Sequence, residues 1–327
     1  MSESTKALPD YIENTASDRQ RKVEIPPDCA GMRLDLALVR LLPEYSRSRL
    51  QEWMRTGHVT LDGGAATPKT QVWGGERILV TPQATPSTVV HLAEEIPLRV
   101  LFEDETILVI DKPAGLVVHP GSGNWSGTLL NALLQHAPQL SAVPRAGIVH
   151  RLDKDTSGLL VVAKTITAQI DLVRQLQART VTREYAAVVQ GELLVEGVVD
   201  APIGRHPVHR TRMAVVDSGK PARTFYFPVE HGKGWSRVRC RLESGRTHQI
   251  RVHLASIDHP LVGDPVYGAT ARKSIASGAA LQFGRQALHA ARLALIHPST
   301  GEPTHWEAPL PADMVALIAA LKHDAPG

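Results

Sequence analysis

The sequence contains few cysteines, no long apolar run and no apolar segment near its beginning. Its two cysteines, Cys29 and Cys240, lie outside any CxxC pair and do not make a disulfide framework. No apolar run approaches the ~18 residues that a membrane-spanning helix requires, and residues 1–22 lack the apolar core of a signal peptide. We therefore expect a cytoplasmic protein without a membrane segment.

Four familiar ligand-binding motifs are also missing. DKDTSG opens like a calcium-binding EF-hand loop, but Lys164 stands where such a loop needs a bidentate glutamate. His248 and His253 have no glutamate between them, so the HExxH zinc pattern is absent. The glycines of HPGSGNWSG follow neither the dinucleotide-binding nor the P-loop spacing, and we interpret them as turn residues. The sequence therefore predicts no metal site and no nucleotide cofactor.

Positive charge is unevenly distributed along the chain. The formal net charge is +3, yet residues 204–253 contain eleven Lys/Arg and only three Asp/Glu. Such a local excess fits either an anionic partner such as RNA or a solvated face of ordinary ion pairs. Within this stretch, RVRCRL (Arg237–Leu242) alternates strictly, which places three arginines on one face of a predicted strand.

The sequence predicts four segments. Residues 1–22 are polar and without periodicity, which is typical of a disordered tail. Residues 23–80 have the pattern of two short helices and a β-hairpin, with Ser46 as the cap of the second helix. Residues 81–97 hold three prolines and no clear period, so we expect a linker. Residues 98–327 make up a larger domain.

Strands and helices of the larger domain do not alternate strictly. ILVIDKP, GLLVVAK, EYAAVVQG and RVRCRL have the apolar content or the alternation of strands. Helical patterns occur in TLLNALLQHAP, TAQIDLVRQLQART and ADMVALIAALKHD. Because this order is not βαβ, we expect an α+β domain around a mixed, largely antiparallel sheet rather than a Rossmann fold.

Two polar stretches hold candidate catalytic residues. In Arg145–Thr165, Asp153 and Asp155 directly precede a buried strand, where a sheet can hold a catalytic group rigidly. The same carboxylates also suit a structural role as turn caps paired with nearby arginines. In Leu242–Ala255, the guanidinium of Arg246 fits a carboxylate or a phosphate bidentately, although such arginines also occur on solvated strand edges.

Four motifs of the larger domain resemble those of the RluA-type pseudouridine synthases. They are HRLDKDTSGLLVVAKT, REYAAVVQG, GRTHQIRVHLA and HPLVGDPVYG, in the order of that family. The N-terminal unit resembles the S4 RNA-binding module through RLDLAL and SRSRLQEWMRTGHV. The resemblance implies a pseudouridine synthase fold, a mixed and mainly antiparallel sheet with flanking helices, preceded by a small S4-like helix-helix-hairpin domain.

The resemblance also implies an enzyme that isomerises uridine in RNA without a metal or an organic cofactor. Asp153 matches the essential aspartate of the family, and Arg151 matches an arginine near the flipped nucleotide. Tyr185 matches the tyrosine that stacks on the target base, and Arg246 matches the arginine that pairs with the catalytic carboxylate. Further similarity in VVHPGSGNWSGTLLNALL points to members that act on the helix 69 loop of 23S rRNA, which implies a part in ribosome biogenesis.

RNA binding is expected from basic side chains in both domains. The predicted contacts are Arg33, Arg47, Arg49, Lys69, Arg205, Arg210, Arg212 and Arg251. The alternating Arg237, Arg239 and Arg241 are expected to hold further phosphates. We expect a monomer whose partner is ribosomal RNA in a precursor of the large subunit. Alternatives are the same chemistry on another rRNA loop or on tRNA, a non-catalytic rRNA-binding assembly factor, and an unrelated hydrolase.

Overall fold

The computed structural model describes residues 20–43, 45, 47–82, 92–121, 124–209, 211–268 and 282–323. Outside this part of the chain lie the expected tail up to residue 19, the Ser46 cap, Arg210 and most of the expected linker. The described chain forms two compact units, residues 20–82 and 92–323. Within the described ranges, no helix is long and apolar enough to cross a bilayer.

The first unit is a four-stranded antiparallel sheet with two helices. Its elements are β1 (Arg21–Glu24), α1 (Leu34–Leu41), α2 (Arg47–Arg55), β2 (Val59–Leu61), β3 (Gly64–Ala65) and β4 (Arg77–Val80). The strand order is β1-β4-β2-β3, and Leu38, Leu50 and Ile78 belong to one buried core. β1 begins inside the segment expected to be a tail, because Val23 pairs with Ile78 on β4 and extends the predicted hairpin.

The second unit contains eleven strands and four helices in its described part. The strands are β5 (Val100–Glu103), β6 (Ile107–Lys112), β7 (Ser157–Ala163), β8 (Thr182–Gln190), β9 (Gly197–Asp200), β10 (Ile203–Arg205), β11 (Met213–Val215), β12 (Arg223–Gly232), β13 (Trp235–Leu242), β14 (Leu288–Ile296) and β15 (Pro303–Glu307). The helices are α3 (Leu129–His136), α4 (Ile166–Gln177), α5 (Gln249–Ser256) and α6 (Ala312–His323).

Nine of these strands form one mixed sheet in the order β5-β6-β7-β14-β8-β13-β12-β9, with β15 paired to β14. Every pair in it is antiparallel except β7 with β14. β10 and β11 form a separate hairpin. The expected α+β fold with a mixed, mainly antiparallel sheet is therefore confirmed.

Helices lie on both faces of this sheet. Side chains of α3 and α5 join one core with the face that carries Tyr185 and Cys240. Side chains of α4 and α6 pack on the other face in two further clusters. β6 and β7 are buried along their whole length because both of their faces are covered, which explains their continuous apolar sequences.

Candidate active site

Asp153 lies in the loop that leads into β7. Two glycines with positive φ, Gly147 and Gly158, fix the path of the chain on either side of it. A Cβ on Gly147 would lie 1.8 Å from the Ala163 carbonyl oxygen, and one on Gly158 would lie 2.3 Å from that of Ala290 on β14. Neither position accepts a side chain, so the loop is held against the sheet at both ends.

Lys112, at the end of β6, holds the same loop through its backbone. The buried ammonium group donates to three carbonyl oxygens, among them that of Lys154 at 2.9 Å. Burial lowers the pKa of Lys112 to about 7, although the charges of Asp155 and Asp153 oppose that shift. Because Lys154 directly follows Asp153, the lysine fixes the backbone that carries this carboxylate.

The carboxylate of Asp153 is held by Arg251. Nη1 of Arg251 donates to Oδ2 of Asp153 at 3.1 Å. Nε and Nη2 of the same guanidinium donate to the two oxygens of Asp264 at 2.8 and 2.9 Å. The exposed fraction of the side chain is 17% for Asp153, 5% for Arg251 and 0% for Asp264. Asp153 is therefore the member of this ion cluster that a substrate can reach.

The buried part of the cluster is stabilised in its charged form. Burial alone would raise the pKa of Asp264, but Arg251 and the backbone N–H groups of Val266 and Tyr267 lower it. Burial alone would lower the pKa of Arg251, but the hydrogen bonds and charge of Asp264 and Asp153 raise it. Arg251 therefore remains a cation where it contacts Asp153.

His248 faces the second oxygen of the same carboxylate. Its Nε2 lies 3.9 Å from Oδ1 of Asp153, and its Nδ1 lies 2.9 Å from the hydroxyl of Tyr267. That hydroxyl also accepts the backbone N–H of Met213 at 3.0 Å, which ties the β10–β11 hairpin to the site. His248 has a φ of 56°, and such strained residues cluster at functional sites. Burial lowers its pKa, against the opposing charge of Asp153.

Tyr185 and Arg151 lie in the same region. Tyr185, on β8, is 6% exposed and pairs in register with Cys240 on one side and Ala290 on the other. Burial raises its pKa, and the charge of Asp153 acts in the same direction. Arg151 is exposed two residues before Asp153, and its charge helps to lower the pKa of His248. Both predicted side chains are thus close enough to influence the site electrostatically.

The structure corrects the roles expected of Arg246 and Arg251. The Nε of Arg246 donates to the Pro221 carbonyl oxygen at 3.1 Å, and its guanidinium does not contact Asp153. Arg246 precedes α5, whereas Arg251 lies in the first turn of that helix and meets the Asp153 loop. The sequence predicts that Arg251 contacts RNA. Because Arg251 is buried between two carboxylates, it is not available to RNA phosphates, and this prediction is wrong.

The three arginines of β13 require a second correction. Cys240 pairs with Tyr185, so the residues that alternate with it lie on the opposite face of the sheet. There Arg239 and Arg241 are exposed, with their guanidinium groups over phenylalanine rings of β12, and Arg239 pairs with Glu184 at 3.0 Å. Arg239 and Arg241 therefore lie on the face of the sheet opposite Tyr185, so any phosphates that they hold belong to another part of the RNA than the nucleotide at Asp153.

In the first unit, one buried carboxylate holds two arginines at the surface. Nε and Nη2 of Arg33 donate to the two oxygens of Asp35 at 3.1 and 3.0 Å. Arg47 donates to Oδ2 of Asp35 at 3.0 and 2.8 Å, and Gln51 donates to it at 2.6 Å. Burial opposes ionisation of Asp35, but these three partners lower its pKa. Arg33 and Arg47 remain 41% and 47% exposed, so both can contact an anion.

The other predicted basic contacts lie at the surface of the two units. Lys69 is exposed in the first unit, where the guanidinium of Arg49 lies 5.1 Å from the ring of Trp53. Arg205 and Arg212 are exposed on the β10–β11 hairpin of the second unit. Met213 of this hairpin donates its backbone N–H to the Tyr267 hydroxyl, so the hairpin that carries these arginines is tied to the site.

Sequence interpretation missed three residues of the site. Asp264 stands in HPLVGDPVYG, where the signal was a carboxylate inside a recognised motif. Lys112 ends the buried run ILVIDK, and a charged residue in such a run indicates a specific partner. His248 stands between Arg246 and Arg251, and nothing in the sequence marked its left-handed backbone.

Comparison with known proteins gives two family matches. Residues 106–256, which include Asp153, Tyr185 and Arg251, match the model described as RNA pseudouridylate synthase. Residues 32–78 match the S4 domain and cover both helices of the first unit. The expected pairing of an S4-like unit with a larger synthase-like domain is confirmed by these matches.

Whole-chain relatives and a solved structure agree with these matches. A protein of Nitrosomonas europaea named ribosomal large subunit pseudouridine synthase D is 59% identical over 97% of this chain and 93% of its own length. One of the same name from Xanthomonas campestris pv. campestris is 51% identical over 93% of each chain. The structure of human RNA pseudouridylate synthase domain containing 4 is 26% identical, with a TM-score of 0.54 over 68% of this chain and 93% of its own.

Proposed function

The chain belongs to the RNA pseudouridylate synthase family, and we propose from this premise that it converts uridine to pseudouridine in large-subunit ribosomal RNA. The observation that carries the proposal is the carboxylate of Asp153. One of its oxygens is fixed by Arg251, and the other lies 3.9 Å from His248, beyond hydrogen-bond distance. The relatives are named as enzymes of the ribosomal large subunit, which supports the choice of substrate.

The chemistry needs a fixed anion beside the sugar. The N1–C1′ bond breaks, the uracil turns, and C5 bonds to C1′ while C5 loses its proton and N1 gains one. Since the product is an isomer, the reaction needs no oxidant, reductant or energy donor. A carboxylate can add covalently to the substrate or stabilise positive charge that develops at the sugar. We assign this role to Asp153, which the loop and Arg251 hold in one position.

The target base must leave its stack to reach this carboxylate. Extrusion costs a few kcal/mol, and less in a loop than in a helix. Stacking on an aromatic ring returns ~1–3 kcal/mol per base. We assign the stacking contact to the part of Tyr185 that the core leaves open, and a contact with the flipped nucleotide to Arg151.

Binding of folded RNA is assigned to both units. Arg33 and Arg47 present two guanidinium groups from the S4 unit, and Arg205 and Arg212 present two more from the β10–β11 hairpin. Lys69, Arg49 and Arg210 are assigned to the same contacts. A second attachment point raises the effective concentration of RNA at the site. Because these contacts neutralise phosphates, affinity should fall steeply with salt.

We further propose that the modified uridines lie in the helix 69 loop, in a precursor of the large subunit. Similarity of VVHPGSGNWSGTLLNALL and VPRAGIVHRLDKDT to synthases of that loop supports this choice. The enzyme would then act in the cytoplasm as a monomer and contribute to ribosome biogenesis.

The test is tritium release from large-subunit RNA that is labelled at uridine C5. We expect wild-type protein to release tritium and Asp153→Asn to release at least about a thousandfold less, with unchanged RNA affinity. Mapping of the modified positions then tests the helix 69 assignment. Tight binding without release from either naked RNA or precursor subunits would contradict the proposal and favour a non-catalytic assembly factor.

A further inference from the structure

Arg183 is a buried arginine without a counter-ion. It lies on β8 two residues before Tyr185, on the same face of the sheet, and is 9% exposed. Within the described part of the chain it makes no hydrogen bond or ion pair, and its Nε is buried without an acceptor. Buried charges are normally paired, because an unpaired one is strongly unfavourable. A partner from outside the protein is therefore indicated.

Two neighbours of Arg183, the imidazole of His150 and the phenol of Tyr185, carry no negative charge. Burial, with a smaller effect of Arg183, lowers the pKa of His150 to about 3, and burial raises the pKa of Tyr185. Both side chains are therefore neutral at pH 7. Glu184, the next residue in sequence, points to the opposite face and pairs with Arg239. None of the described residues forms an ion pair with Arg183.

Gly245 lets the guanidinium of Arg183 lie close against the backbone. A Cβ on Gly245 would lie 2.8 Å from Nη1 of Arg183, so any side chain there would displace the arginine. Gly245 is itself exposed, and the guanidinium therefore borders a position that solvent reaches. His150, on which the charge of Arg183 acts, stands three residues before Asp153. The guanidinium of Arg183 thus lies close to the loop that carries Asp153.

We propose that Arg183 and Gly245 form an anion site for one backbone phosphodiester of the RNA, next to the target uridine. A phosphodiester carries one full charge and presents oxygens that accept N–H bonds from a guanidinium fork. Any nucleotide placed at Asp153 brings such groups with it on either side. The inference rests on the proposed function, because it requires RNA in the site.

The experiment combines protein variants with RNA in which single charges are removed. Short stem-loops that the wild-type enzyme modifies are synthesised with one phosphate at a time replaced by a neutral methylphosphonate. At one position, the replacement should weaken wild-type binding about tenfold to a hundredfold, as loss of a charge-assisted contact does. Arg183→Gln should show the same loss with unmodified RNA and no further loss at that position. KM should rise far more than kcat falls.

Two controls separate this site from general charge effects and from misfolding. Arg241→Gln removes the same charge from the opposite face, and its effect should add to every methylphosphonate. Gly245→Ala leaves Arg183 in place but displaces its guanidinium, so it should repeat the loss and its dependence on one phosphate even if Arg183→Gln folds poorly. Additive losses at every phosphate for both Arg183→Gln and Gly245→Ala would overturn the proposal.

Thermal stability gives an independent readout. Replacing an unpaired buried charge by an apolar side chain of similar length should raise the Tm of Arg183→Met by about 2–4 °C while RNA binding falls. A lower Tm together with additive losses would assign Arg183 a structural role and overturn the site. The RNA in this experiment is one that the wild-type enzyme modifies. A result that overturns the anion site therefore does not contradict the proposed function.

Discussion

The two units each contain a buried ionic side chain that holds two partners, but with opposite signs. In the first unit, buried Asp35 holds Arg33 and Arg47, which remain partly exposed. In the second, buried Arg251 holds Asp264 and Asp153, and Asp153 is the exposed partner. In both cases the buried group fixes geometry and the exposed partners carry the surface charge. One unit therefore presents positive charge suited to phosphates, and the other presents a carboxylate suited to catalysis.

Of the changes considered, replacement of Arg251, the buried side chain of the second unit, should have the largest effect on stability and turnover. Arg251→Gln leaves Asp264 buried without its charge partner, so unfolding in urea should show a loss of ~3–5 kcal/mol. The freed carboxylate of Asp153 should lose its position, and turnover measured by tritium release should fall at least about a hundredfold. Arg246→Gln, in the same motif but outside the cluster, should cost less than about 0.5 kcal/mol. Wild-type turnover in Arg251→Gln would show that the buried arginine does not fix the position of Asp153.

Lys112 tests whether the backbone of the loop matters as much as the side-chain cluster. Lys112→Met removes an ammonium group that donates to three carbonyl oxygens, of which that of Lys154 keeps the Gly115 N–H, so stability should fall by ~1–3 kcal/mol. Turnover should fall about tenfold, because the loop that carries Asp153 loosens. Lys154→Met, an exposed lysine of the same loop, is the matched control and should change either quantity little. Equal effects of the two variants would show that the buried contacts are unimportant.

Asp35→Asn tests whether the buried carboxylate of the first unit fixes its two arginines, and we expect a smaller effect than in the second unit. The variant adds one net positive charge, so simple charge attraction predicts tighter RNA binding. We expect binding weakened about threefold to tenfold, because Arg33 and Arg47 lose the carboxylate that orients them. Filter binding at several salt concentrations measures this change. The surface pair partner Asp28→Asn serves as control, and a gain in affinity for Asp35→Asn would contradict the role assigned to the buried carboxylate.

A fall in pH should reduce the contribution of both ion clusters to the stability of the protein. The pKa values of Asp35 and Asp264 are lowered in the folded state. Their contributions to stability are therefore fully present above the unfolded value of about 4 and are lost as pH falls through the lower folded values. The free energy of unfolding of wild type relative to Asp35→Asn, measured in urea from pH 6 to pH 3, should accordingly shrink below pH 4. A difference that stays constant with pH would exclude an ionised Asp35 as its source.

Much of the fold followed from local patterns in the sequence. The strict alternation of RVRCRL gave the two faces of β13, and the continuous apolar runs of β6 and β7 gave fully buried strands. β1 could not be predicted in the same way, because its four residues have no pattern of their own and are ordered by pairing with β4. Local sequence specifies elements, whereas long-range pairing specifies the sheet.

The sequence predicted some of the residues that come together in the site, but not all of their contacts. Asp153 was predicted from carboxylates before a buried strand and from a family motif. The motif GRTHQIR offers two arginines, and which of them faces Asp153 depends on where α5 begins. Likewise, alternation separated Arg239 and Arg241 from the core, but only the pairing of Cys240 with Tyr185 showed which face carries the site.

The position of β14 in the sheet has a consequence for synthesis of the protein. β14 (Leu288–Ile296) lies between β7 and β8, which end at Ala163 and Gln190, well before it in the chain. Its Ala290 carbonyl oxygen is also the group against which Gly158, near Asp153, is packed. On the ribosome, a growing chain therefore exposes the edges of β7 and β8 until β14 has been made. The loop that carries Asp153 acquires its support from Ala290 only then, so the site cannot be complete before β14 is synthesised.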